Sequence, residues 1–177
     1  MARDEAPLFE RGNTLWEGDT SNIDASGFNH ILGKEWRIED PDGSGQYVTL
    51  RAVRVVTGGL KGKDIVAFKA GSTGTVVDNY AGAGAECAVL DDQLTGNVAK
   101  NDIAYVITKG PTKVVTKTSS PNVAQADKIA AGGGGRVQKA AAGSFALGIA
   151  LEAATTSETS KTIKVIVGAD FARDAHD

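Results

Sequence analysis

The run Asp40-Pro41-Asp42-Gly43-Ser44-Gly45 places oxygen-bearing side chains at alternate positions, Asp40, Asp42 and Ser44, ahead of a glycine. That is how the first half of a calcium loop is written, with carboxylates converging and Gly permitting the sharp bend. The bidentate glutamate expected at the twelfth position is missing, because residue 51 is Arg, so the run reads as a turn first and a metal site second. Gly132 to Gly135, followed by Arg136, has the glycines of a phosphate cradle but lacks the Lys-Ser/Thr of a P-loop, and it reads as a hairpin or linker. Only two histidines exist, His30 and His176, and neither has a motif partner from which a nucleophile–base pair could be built. The adjacent carboxylates Asp91-Asp92 and Glu39-Asp40 point apart on extended chain. The single cysteine, Cys87, excludes an internal disulfide framework and gives no metal-ligand spacing. The expectation is a protein without resident metal or cofactor, and not an enzyme; glycosidase or peptidase chemistry has no positive support.

These residues must be held by strands. At 177 residues the chain is long enough for one domain of ordinary size. Its 41% apolar share is rich in Ala, its aromatics amount to 6%, and it carries 22 Gly, so the bulky core must come from Val, Ile and Leu on strands joined by tight turns. Turn chemistry recurs every 8 to 15 residues from residue 34 onward. Candidate strands are 36–39, 47–57, 64–70, 75–78, 86–90, 103–109, 113–118, 136–140, 145–151 and 161–167. The fold class expected is all-β: a compact barrel or sandwich of short antiparallel strands over residues 34–177, preceded by an extended N-terminal arm, residues 1–33.

The clearest period-two signal places Phe145, Leu147, Ile149 and Leu151 on one face, and Ala146, Gly148 and Ala150 on the other. The small face is expected to let another layer or subunit approach closely. Gly62-Lys63-Asp64-Ile65 echoes Lys100-Asn101-Asp102-Ile103, each a polar turn with Asp just before an apolar strand. In the arm, isolated aromatics interrupt a polar segment, and Phe9, Trp16 and Phe28, with Trp36 just beyond, are the expected anchors for a partner surface. The alternative is an arm folded back over its own domain.

The formal charge of −3 comes from 19 basic and 22 acidic side chains distributed along the chain, which disfavours nucleic acid as a partner. No apolar run approaches the roughly 20 residues of a membrane span, and the start has no signal-peptide core, so folding in a cytoplasm is expected.

The order Lys100 to Val106, then Gly135-Arg136-Val137-Gln138-Lys139-Ala140, then Gly148-Ile149-Ala150-Leu151-Glu152, then Ile163 to Val167 resembles the small β-barrel capsid decoration (cement) proteins of tailed bacteriophages. The resemblance covers about residues 60–168; the long N-terminal segment departs from the compact pattern. It implies a trimer or other homo-oligomer on the outer surface of a phage head, made in the host cytoplasm and clamping neighbouring major capsid proteins. A carbohydrate- or receptor-binding β module of a viral fibre or surface structure is the competing reading, and requires exposed aromatics clustered on one face.

Overall fold

A computed structural model describes residues 31–40, 45–80, 86–117, 122–142, 144–155, 157–158 and 160–168. Twelve strands are formed among them: β1 (Glu35–Glu39), β2 (Tyr47–Val55), β3 (Leu60–Lys61), β4 (Ile65–Phe68), β5 (Val76–Asn79), β6 (Cys87–Leu90), β7 (Asn97–Val98), β8 (Ile103–Val115), β9 (Lys128–Gly132), β10 (Arg136–Lys139), β11 (Gly148–Ala150) and β12 (Thr162–Val167). The protein is all-β, as expected.

Strand pairing closes a barrel. β2 pairs with β5 in parallel, and β5–β4, β4–β6, β6–β8 and β8–β2 complete the circuit antiparallel. The parallel contact is a departure from the antiparallel expectation and is short, with Arg54 opposite Val76 and Val55 opposite Val77. Alternate residues point inward: Val53, Val55, Val66, Val77, Ala88, Leu90, Ala104 and Val106 form one core, to which the β3–β7 ribbon adds Leu60 and Val98. The residues between them, Leu50, Ala52, Ile65, Val89, Ile103, Tyr105 and Ile107, form a second core on the barrel's outside. Strands wetted on neither face need β-branched and aliphatic side chains at successive positions, which is how β2, β4, β6 and β8 are written. Each such side chain contributes roughly 1.5–3 kcal/mol when fully buried.

The second core is shared with a second sheet. The later half of β8 pairs with β12, β12 with β11, β11 with β9, and β9 with β10. A bridge between Thr116 and Val137 leads back to the end of β8. Ile163, Val165 and Val167 of β12, with Ile129 and Val137, supply the inner side chains. β8 is therefore a common wall. The two strands expected at 103–109 and 113–118 are this one strand, running through Gly110-Pro111. Gly110 has φ +107°, and a Cβ there would overlap the Tyr47 carbonyl oxygen, so only glycine lets β2 and β8 cross so closely. The Lys113 N–H points away from β12, to the Asp92 carboxylate at 3.0 Å. Pro111 stands two residues earlier on the same side, where its missing N–H takes nothing from the β8–β12 ladder.

Two further features matter later. The strand expected at 145–151 contracts to Gly148–Ala150: Ala146, Gly148 and Ala150 are buried, as is Leu147, which joins the second core, while Ile149 is half-buried and Phe145 is 65% exposed. Gly148 is needed there, since a Cβ would overlap the Ile166 carbonyl oxygen. At the start, Ile31 and Leu32 pack against the second core and the Gly33 N–H donates to the Ala52 carbonyl at 2.8 Å, so packing begins within the segment assigned to the arm.

The Asp-before-strand turn occurs three times. Asp64, Asp102 and Asp127 each accept, through the carboxylate, the N–H of the residue three positions earlier, at 2.8, 2.9 and 2.7 Å. The residue before each Asp, Lys63, Asn101 or Ala126, has positive φ, as the third position of a type II turn requires. The third copy was not evident because Ala126 is an unusual residue for that backbone conformation.

Candidate partner-binding surface

Of the four expected anchors, Phe9, Trp16 and Phe28 lie outside the described residues, as do Asp42 and Ser44 of the calcium-loop candidate. Asp40 directly follows β1, and its N–H donates to the Gln46 carbonyl at 2.7 Å across the hairpin. No group of three or more His, Cys, Asp or Glu able to hold a metal occurs among the described residues. Gly133–Gly135 make a single 3-10 turn linking β9 to β10, with Gly134 and Gly135 at positive φ. Trp36 sits on β1 opposite Leu50, half-buried, with its ring edge-on to Tyr105 at 5.6 Å between centroids. Its indole is thus partly used in packing its own domain.

The register of the second sheet defines what faces outward. Residues directly opposite share a face, so Lys128, Ile149, Ile166 and Pro111 form one row across β9, β11, β12 and β8. Ile149, Ile166 and Pro111 are half-buried, leaving an apolar strip on the surface. The next row sets Lys164 directly opposite Lys113. Because the Lys113 N–H turns away from β12, this is a non-hydrogen-bonded pair, the geometry that brings side chains closest. Like charges in that position are destabilising. Glu152 and Asp92 accept the backbone N–H groups of Lys164 and Lys113 at 3.1 and 3.0 Å, but neither ammonium has an ion pair among the described residues.

The division into two circuits also sorts charge. Residues 109–168 carry eight Lys or Arg against three Asp or Glu, a net of +5 in a chain whose total is −3. Charges of both signs are spread along the whole chain, but comparing residues 109–168 with the rest shows the bias.

A second exposed feature lies beside β1. Tyr47 is 50% exposed and the Arg37 guanidinium sits 4.6 Å over its ring. On β2, Arg51 is held by Glu35 at 2.6 Å and lies 5.1 Å over the Phe68 ring. Two other groups are chemically quiet. Burial, with Glu86 beside it, pushes the Cys87 thiol up to about 12, leaving it protonated and unreactive at neutral pH. Burial, with Asp91 nearby, pushes the Tyr105 phenol to about 12.

These features define a compact all-β module with an outward apolar and basic sheet face. Among the described residues, no helix is long and apolar enough to cross a membrane. No protein-family model matches the chain, and no curated protein matches it. Among solved structures it is similar to the crystal structure of the head fiber gp8.5 N base in bacteriophage phi29, at 15% identity and a TM-score of 0.48, covering 68% of this chain and 93% of that chain.

Proposed function

We propose that the protein is a structural virion component: a decoration, or cement, protein that binds the outer surface of a phage head as a homo-oligomer, with a trimer favoured, and bridges neighbouring major capsid subunits. The observation that carries this reading is the outward face of the second sheet, an apolar row beside two directly opposed lysines, which is costly on an isolated domain and useful against a partner. Three of the four segments that resemble decoration proteins agree with it, since they fall on β10, β11 and β12 of that same sheet, while Lys100 to Val106 leads into the barrel half of β8. No chemistry is assigned to the protein in this reading. Many copies on a shell multiply modest contacts through high effective concentration. The arm residues Phe9, Trp16 and Phe28 are additional contacts in the proposal.

The test is light scattering of the free protein, followed by sedimentation with empty phage heads. A discrete oligomer that co-sediments at a fixed ratio to capsid subunits is expected, and Ile166→Asp should weaken attachment by about tenfold or more, the loss of one central apolar contact. A monomer that ignores heads removes the reading. The competing module of a fibre or surface structure rests on the half-exposed Tyr47 under Arg37; glycan binding abolished by Tyr47→Ala would favour it.

A further inference from the structure

We infer that in the free protein the outward face of β12, β11 and β8 is the docking site for the chain's own N-terminal segment, residues 1–30, from the same or a neighbouring copy. The proposal concerns the state before any shell is met, and its test contains no capsids.

The face has two properties that its occupant must answer: an apolar row, Ile149, Ile166 and Pro111, and immediately beside it the opposed pair Lys113 and Lys164, with no ion pair to either ammonium among the described residues. Residues 1–30 answer both. They carry six acids, Asp4, Glu5, Glu10, Glu17, Asp19 and Asp24, against Arg3 and Arg11, a net of −4, opposite in sign to the net +5 of residues 109–168. The acids are also positioned. A large apolar residue is followed at once by a carboxylate three times, at Phe9-Glu10, Trp16-Glu17 and Ile23-Asp24, with seven residues from one pair to the next. On extended chain adjacent residues point apart, so the residues that share a side with these acids are Leu8 for Glu10 and Leu15 for Glu17, an apolar group for the row and a carboxylate for the lysines.

Reach does not restrict the contact. Thirty residues span up to about 100 Å when extended, several times the ~15 Å radius of gyration of a domain this size. The chain enters the fold at Ile31 and Leu32, whose packing fixes the segment's root to the domain. Reversing two lysines turns attraction into repulsion at both positions and should lower the docked-to-free ratio by about tenfold.

The experiment uses the full chain. Zero-length carbodiimide cross-linking should join Lys113 or Lys164 to Glu10, Glu17 or Asp24, and mixing isotope-labelled with unlabelled chains tells whether the segment comes from the same copy or another. Acrylamide quenching of tryptophan then reads docking, because Trp16 is in the segment while Trp36 is packed on Tyr105. Lys113→Glu with Lys164→Glu should raise quenching, Glu10→Lys with Glu17→Lys and Asp24→Lys should raise it equally, and combining both sets should bring it back. Circular dichroism confirms folding of each variant. The absence of those cross-links in the unaltered chain overturns the proposal without any variant, and so does quenching that is the same in all four proteins.

Discussion

Gly148→Ala tests the packing of β11 most directly. The new Cβ would overlap the Ile166 carbonyl oxygen and lie 2.9 Å from the Ile166 carbonyl carbon and 3.0 Å from Val167 Cα. All three are backbone atoms of β12, so no rotamer change relieves the overlap. β11 must move away from β12 by an ångström or more, straining the pairs Gly148–Val167, Ile149–Ile166 and Ala150–Val165 together. Overpacking a core costs about 1–3 kcal/mol even where side chains can yield. With backbone against backbone, the upper end of about 3 kcal/mol applies, out of a total of about 5–15 kcal/mol for a domain. At this chain length, that lowers Tm by about 6–12 °C. Urea unfolding followed by circular dichroism measures it, with Gly96→Ala as the control. Gly96 has nothing within 4 Å of its would-be Cβ and should change stability by less than about 0.5 kcal/mol. If Gly148→Ala matches the control, the close approach of Gly148 to the Ile166–Val167 backbone of β12 is wrong.

Two further substitutions probe the buried and electrostatic parts of the fold. The buried Tyr105 hydroxyl has no hydrogen-bond partner among the described residues, so Tyr105→Phe should be neutral or slightly stabilising by urea unfolding, whereas Tyr105→Ala should cost about 3–5 kcal/mol; a large loss on removing the hydroxyl alone would show that it is bonded. Asp127 accepts from Lys139 Nζ at 2.9 Å and from the Ala124 N–H at 2.7 Å, which hold its carboxyl below the usual carboxylate range. Its stabilisation is therefore present above the unfolded value of about 3.9 and lost as pH falls through the lower folded value, so the stability gap between wild type and Asp127→Asn should close in acid, and a gap independent of pH contradicts the assignment.

Much of the architecture was legible where a strand's own residues decide it. β2, β4, β6 and β12 carry β-branched and aliphatic residues at close spacing and were located to within a few residues. β9 was missed because Lys-Ile-Ala-Ala-Gly has little intrinsic strand preference; its conformation follows from pairing with β10 on one edge and β11 on the other. β3 and β7 were missed because two residues give no periodicity. Gly110-Pro111 resembled a break, and only the geometry of β2 and β12 explains why a strand passes through it. The alternation in 145–151 says that two faces differ but not which one meets the core, and Leu147 of the bulky face is buried together with Ala146, Gly148 and Ala150. The opposed lysines were illegible for a related reason: Lys113 and Lys164 are 51 positions apart, and register alone makes them neighbours.

The common wall formed by β8 bears on how the protein can come apart. Its first half closes the barrel through β2 and β6, and its second half anchors β12. Neither circuit retains a complete perimeter if the other half of this strand is lost, and the second core draws on both. Unfolding of the described residues as one cooperative unit is the expected consequence. Under load, force applied at the outward face of β12 is carried into the barrel along a continuous backbone, without passing through a linker.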